Sequence, residues 1–216
     1  MRKLIYFLVF FLTVQLTVNA QKVRGGLRGG VIIADFSDAG SPKKSEAGPS
    51  FGIIWNVNTG KHFAFQPQLN FWVQKGYNQT ETILNTTFTS TSLITNSCEA
   101  QLNYVYRTGG KKSNFFFGGG PSAALGINGK WKYTNASGAS SKLDVKFGKT
   151  KTDDFKKIDF GVSGITGFYT GGGFLFTFSY NHGLSNLNPD KTGKTLQSSY
   201  FGISVGFLLP YEKMKK

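Results

Sequence analysis

The feature that most constrains this chain is a two-residue rhythm of apolar side chains. It recurs in eight segments and nowhere beyond the N-terminus lengthens into a run that could cross a bilayer as a helix. The clearest segment is 174–181, where Phe174, Phe176, Phe178 and Tyr180 point one way and Thr177, Ser179 and Asn181 the other. In 63–76, Phe63, Phe65, Leu69, Phe71 and Val73 alternate with Gln66, Gln68, Asn70 and Gln74. The last segment sets Phe201, Ile203, Val205 and Phe207 against Gly202, Ser204 and Gly206. Weaker alternation runs through 23–33, 50–57, 96–106, 115–127 and 158–169. A period of two places alternate side chains on opposite faces of a strand, so the chain is expected to be all-β.

Two architectures satisfy such a pattern, a soluble sandwich and a membrane barrel. Composition separates them. Only 17% of residues are charged, while the chain carries 21 Phe and 28 Gly. An ordinary soluble domain has about 25% charged residues. In lipid every backbone N–H and C=O must be paired internally, and without hydrophobic helices only a closed barrel achieves this. The non-apolar face is rich in glycine, including Gly26, Gly30, Gly118, Gly120, Gly161 and Gly167. Glycine suits a narrow, curved interior better than a solvated face. The connections point the same way. Those at 58–62, 107–114 and 170–173 are short, whereas those at 34–50, 77–95, 128–157 and 186–198 are long and polar. Strict alternation of short and long is the signature of tight periplasmic turns and long external loops. The expected fold is an antiparallel, up-and-down transmembrane barrel of eight strands in a Gram-negative outer membrane.

The N-terminus agrees with export. Arg2 and Lys3 precede the apolar run Leu4–Leu12, and Val18-Asn19-Ala20 fits a signal peptidase site. The run is too short for a membrane anchor, so residues 1–20 are expected to be a cleaved signal peptide and Gln21 the mature start. The barrel domain is then expected over 21–207, followed by a short basic periplasmic tail at 208–216. The lone Cys98 excludes an internal disulfide. A net charge of +14 is compatible with nucleic acid or anionic lipid, and export excludes nucleic acid as a partner.

Several motifs sharpen the reading. Phe65-Gln66-Pro67-Gln68-Leu69 through Gln74-Lys75-Gly76 resembles an "LQPEL…SQKG" strand. Gly118-Gly119-Gly120-Pro121 with Leu125-Gly126 resembles "GAGPYLGY". Asp159-Phe160-Gly161 and Tyr180-Asn181-His182-Gly183-Leu184-Ser185-Asn186 resemble the starts of two later strands, the second "YSYGLTNI". In this order they resemble the "porin family" outer-membrane β-barrel domain of Bacteroidota, related in architecture to OmpA/OmpX-type barrels. Gln68 departs from that pattern, which often has Glu there. The last segment also resembles a barrel-assembly recognition signal, carried by Tyr200, Gly202, Val205 and Phe207. That resemblance implies the barrel-assembly machinery as a partner.

Residues with catalytic potential are few. Gly148-Lys149-Thr150 and Gly193-Lys194-Thr195 imitate a phosphate loop, but Leu143 and Asn188 stand where its first glycine belongs. Two histidines, His62 and His182, cannot form a histidine-rich metal site. His182 and Ser185 lie three apart on a strand and face opposite sides, which argues against a lipid A-modifying dyad. No catalytic residue, metal or cofactor is expected, and the chain is read as non-enzymatic and monomeric. Arg24, Arg28, Glu99 and Asp159 are expected inside the lumen, where charges must pair. They form either a salt-bridged plug or an ion path, and the narrow eight-strand interior favours the plug. Lys130, Lys132, Lys142 and Lys146 lie in a basic external segment able to touch lipopolysaccharide phosphates, unless it is merely solvated. The function expected is a structural or surface-interaction role carried by the external loops, with a small-solute porin as the alternative.

Overall fold

The computed structural model describes residues 23–37, 43–80, 88–109, 113–135, 137–190, 193 and 195–209. The expected signal peptide, the expected start at Gln21 and the part of the expected tail beyond Leu209 lie outside the described residues. The strands are β1 (Val23–Ser37), β2 (Lys43–Asn58), β3 (Phe63–Thr80), β4 (Phe88–Arg107), β5 (Ser113–Asn135), β6 (Ser140–Asp144), β7 (Ile158–Thr170), β8 (Phe174–Gly183) and β9 (Gln197–Leu208). Each neighbouring pair is antiparallel, and β4 pairs with β5 while β1 pairs with β9. The order β1-β2-β3-β4-β5-β7-β8-β9 therefore closes into a ring of eight, with β6 added only to the outer part of β5. Closure runs from Gly26↔Leu208 to Ser37↔Gln197. No ring strand is left with an open edge, which is the condition for crossing lipid with strands. A sandwich is excluded.

The alternation predicts the faces of the later strands well. On β8, Thr177 and Ser179 are buried while Phe174 and Phe178 are exposed. On β9, Phe201, Ile203, Val205 and Phe207 face outward and Tyr200, Gly202 and Ser204 inward. Inward glycines sit where strands come close. A Cβ on Gly30 would lie 2.7 Å from the Cβ of Ser204, and one on Gly118 would lie 2.7 Å from Cα of Val105. Only hydrogen leaves that room.

Two expectations needed correction. First, β3 changes parity at a bulge between Asn70 and Val73. Before it Gln66, Gln68 and Asn70 are buried, and after it Val73, Lys75 and Tyr77 are. Val73 thus faces the lumen and Gln74 does not, the reverse of the uninterrupted alternation. A matching shift between Asn96 and Ser97 against β5 puts both Ile127 and Asn128 outward, then turns Gly129 inward. A bulge adds one residue to one strand and so swaps its faces. Second, much of the expected long loops is strand. Ladders continue to Ile33↔Ala47, Thr80↔Ser90 and Phe88↔Asn135. These Ser-, Thr- and Asn-rich stretches stand above the lipid, where neither face needs to be apolar, so no rhythm announces them. Leu208, expected in the tail, ends β9 and is fully buried.

Candidate functional site

The interior is layered. At the end bearing the short turns, Ile54, Ala64, Val105, Phe116, Ile165, Tyr169, Leu175 and Leu208 form an apolar cluster. Long connections mark the opposite end as external. Between them lies a polar layer built around Glu99, which is 1% exposed. The Tyr200 hydroxyl donates to Glu99 Oε1 at 2.5 Å, Gln101 Nε2 donates to it at 2.5 Å, and Asn181 Nδ2 at 3.3 Å. Lys75 Nζ stands 3.9 Å from Oε2. It also donates to Ser198 Oγ at 3.0 Å and lies 5.1 Å from the centre of the Tyr200 ring. Ser198 in turn donates to Asp159 Oδ2 at 2.8 Å. A carboxylate, a lysine and a second carboxylate are so linked across four strands. Buried charges persist when paired and hydrogen-bonded in this way.

The expected charge set is therefore only partly gathered. Glu99 and Asp159 join one network, but through Lys75, which shares the parity of Val73 and turns inward only because of the bulge. Arg28 is buried in the lumen and donates to Ser204 Oγ at 2.9 Å, and among the described residues no ion pair joins it to Glu99. Arg24 stands apart at the periplasmic rim, donating to the carbonyls of Leu208 at 2.8 Å and Leu209 at 2.9 Å. Arg107, not singled out from sequence, clamps the same end through Asn58 at 2.6 Å, Tyr169 at 3.1 Å and the Gly60 carbonyl at 3.0 Å. Its only signal was a cation at a strand end beside a Gly-rich turn.

Above the polar layer the external connections fold over the mouth. Val145, Phe155 and Leu187 pack with Phe36, Tyr77 and Leu93, and Trp131, Phe147 and Leu196 pack against them. Two connections are knitted together. Lys156 N–H donates to the Leu187 carbonyl at 2.8 Å, and Lys156 Nζ donates to the Asn186 carbonyl at 2.8 Å. An exposed Lys151–Asp190 pair at 3.5 Å adds little at such a surface. Within the lid, the Thr150 hydroxyl and N–H both donate to Asp153, holding its carboxyl below the usual range. Beneath the lid is a cavity of about 40 Å³, bordered by Lys75, Asp159, Ser198, Phe147, Phe155 and Leu187.

The four singled-out lysines separate. Lys130, Lys132 and Lys142 are exposed on one outward face of the β5–β6 hairpin, whereas Lys146 belongs to the lid, its N–H donating to Asp154 at 2.8 Å. Of the residues expected to carry an assembly signal, Tyr200 and Gly202 face the lumen and Val205 and Phe207 face lipid. His182 meets Ser199 rather than Ser185, with Nδ1 2.7 Å from Oγ, and stacks near Tyr180. Ser185 accepts from the Phe160 N–H at 2.9 Å. His62 contacts the Arg107 carbonyl at 3.1 Å within a turn. Among the described residues no three His, Cys, Asp or Glu side chains converge to hold a metal.

Solved structures with a similar path include Ail of Yersinia pestis in complex with the heparin analogue sucrose octasulfate, at 10% identity and TM-score 0.44 over 87% of this chain and 99% of that one. OprG from Pseudomonas aeruginosa shares 12% identity at TM-score 0.48 over 88% and 97%. Neisserial surface protein A shares 14% at 0.40 over 85% and 96%. No curated protein sequence matches the chain. The family pattern of the outer membrane protein beta-barrel domain, in contrast, matches residues 19–188, most of the 216. With a closed ring of lipid-facing strands beside that match, the chain belongs to the outer membrane protein beta-barrel domain family and resides in the cell outer membrane.

Proposed function

We propose that this is a non-enzymatic, non-conducting barrel that acts through its external face, in a structural or surface-interaction role. The observation that carries the reading is the filled lumen. An apolar cluster at the periplasmic end, the Lys75–Glu99 layer and the apolar lid lie in series along one narrow interior. Eight strands leave an interior just wide enough for side chains, so three filled layers leave no continuous water path. Among the described residues, two external connections pack together over the mouth. The ring presents no free strand edge, which favours a monomer, and β9 with its outward Val205 and Phe207 suits recognition by the assembly machinery. The ordered motifs favour a place among the Bacteroidota porin-family barrels.

Planar-bilayer recording of the full mature chain tests the reading. No steady current is expected. Reproducible steps of steady conductance in wild type would overturn it and favour a small-solute channel.

A further inference from the structure

Resting on that reading, and going on to name a ligand, we propose that Lys130, Lys132 and Lys142 form a site for the phosphate groups of outer-leaflet lipids. The argument begins at the β5 bulge. Up to Ile127 the outward residues of β5 are apolar, with Phe115, Phe117, Leu125 and Ile127 all exposed. The two consecutive outward residues Ile127 and Asn128 then shift the parity, so that Trp131 turns inward and Lys130 and Lys132 turn outward. Without that shift the lysines would point toward the mouth of the lumen. At a rise of about 3.3 Å per residue along a strand tilted by about 40°, Lys130 stands roughly 7–8 Å above the exposed Ile127 along the barrel axis. A lysine side chain at that level reaches the headgroup layer that borders the hydrocarbon core.

The β5–β6 ladder then places a third lysine on the same face. Lys132 pairs directly with Lys142, and Lys130 with Asp144. Directly opposed residues in an antiparallel ladder hold their Cβ atoms about 4.5–5.5 Å apart, and like charges there repel. Among the described residues none of the three lysines is in an ion pair. On β4 their ladder partners are Ser92 and Ile94, which bring no counter-charge; on β6 Asp144 stands opposite Lys130 and offsets part of its charge, so the excess of positive charge lies on the Lys132–Lys142 pair. The reverse face of the hairpin is anchored, since Trp131 packs near Phe155 and Tyr77 with ring centres 6.1 and 6.4 Å away. The lysines therefore sit on a fixed platform. A like-charged pair on an anchored ladder, at headgroup height and facing the membrane, is complementary to a doubly charged phosphate monoester carried by a lipid. Lys146, held with the lid, is not part of this site.

Native mass spectrometry of the full mature chain in a zwitterionic detergent tests the assignment, with added lipid A in bisphosphorylated and dephosphorylated forms. Wild type should retain the bisphosphorylated form at least tenfold better. Lys132→Gln with Lys142→Gln should abolish that preference, while Lys149→Gln with Lys151→Gln in the lid should keep it. Heat-modifiability on gels confirms that each variant is folded. In detergent without lipid A, Lys142→Gln should hold or raise the melting temperature, because it relieves the opposed charges. Equal retention of the two lipids, or an unchanged preference in the Lys132/Lys142 variant, overturns the assignment. A preference erased by millimolar inorganic phosphate would assign the lysines to a soluble anion and overturns it too. Channel conductance would sink the closed-lumen reading alone, so the two failures are distinguishable.

Discussion

Replacing Lys75 by Met is the most searching perturbation of the lumen. The methionine keeps the length and most of the apolar stem but removes the cation. Glu99 Oε1 would retain Tyr200, Gln101 and Asn181, so that half of the carboxylate stays satisfied. Oε2 would lose the ammonium 3.9 Å away, the one ion-pair partner it has among the described residues. Removing one member of a buried pair typically costs ~3–5 kcal/mol. The surviving hydrogen bonds on Oε1 and the long 3.9 Å separation argue for the lower end, about 3 kcal/mol. Adding Glu99→Gln to Lys75→Met removes the stranded charge, so the double variant should be less destabilised than the sum of the singles. A coupling of about 1.5 kcal/mol or more is expected, within the range seen for contacting residues. Urea unfolding of the barrel in lipid vesicles, followed by tryptophan fluorescence, measures all three variants. Arg28→Gln should couple to Glu99→Gln more weakly, because Arg28 spends its contact on Ser204 at 2.9 Å. Additive Lys75 and Glu99 effects, or a stronger Arg28 coupling, would refute the network as drawn.

Three further outcomes are expected. Phe178→Arg, on the lipid face opposite Ile203, should lower stability by ~2–4 kcal/mol at mid-bilayer, measured by the same unfolding assay; an effect near zero would reject the register. Phe155→Ala should empty the centre of the lid, where core Phe→Ala changes cost ~3–5 kcal/mol, and should speed tryptic cleavage at Lys149 and Lys151 about tenfold or more while the barrel keeps its heat-modifiable shift. Unchanged cleavage would show that Phe155 does not hold the lid. For Asp153, a depressed folded pKa makes its contribution complete above the unfolded carboxylate pKa and lost only as pH falls through the lower folded value. The Thr150 amide chemical shift should therefore hold from neutrality through the ordinary carboxylate range, and a transition nearer neutrality would contradict the turn.

The barrel itself was legible because lipid imposes a rule that sequence obeys residue by residue. Where a strand crosses apolar lipid, one face must be apolar, and the period of two follows. The candidate site was less legible because its geometry depends on where that period slips. Phe71-Trp72 carries the sign of the slip. Two consecutive bulky aromatics cannot sit on opposite faces when one face is a lumen already filled by Gln66, Gln68 and Asn70. If both face outward, the strand must gain a residue and reverse its parity. Trp72 does lie on the outside, its ring stacked 6.5 Å from that of the exposed Phe51. Read this way, Lys75 moves from the lipid face, where a bare ammonium is costly, to the lumen beside Glu99. The same logic applies on β5, where the slip at Ile127-Asn128 turns Lys130 and Lys132 away from the mouth. The lid was beyond this logic. Val145, Phe155 and Leu187 are spaced by no strand period, and their burial depends on how two separate connections meet over the mouth. A bulge is encoded locally by adjacent residues that cannot share the space offered them, while a lid is encoded only in the sum of its contacts.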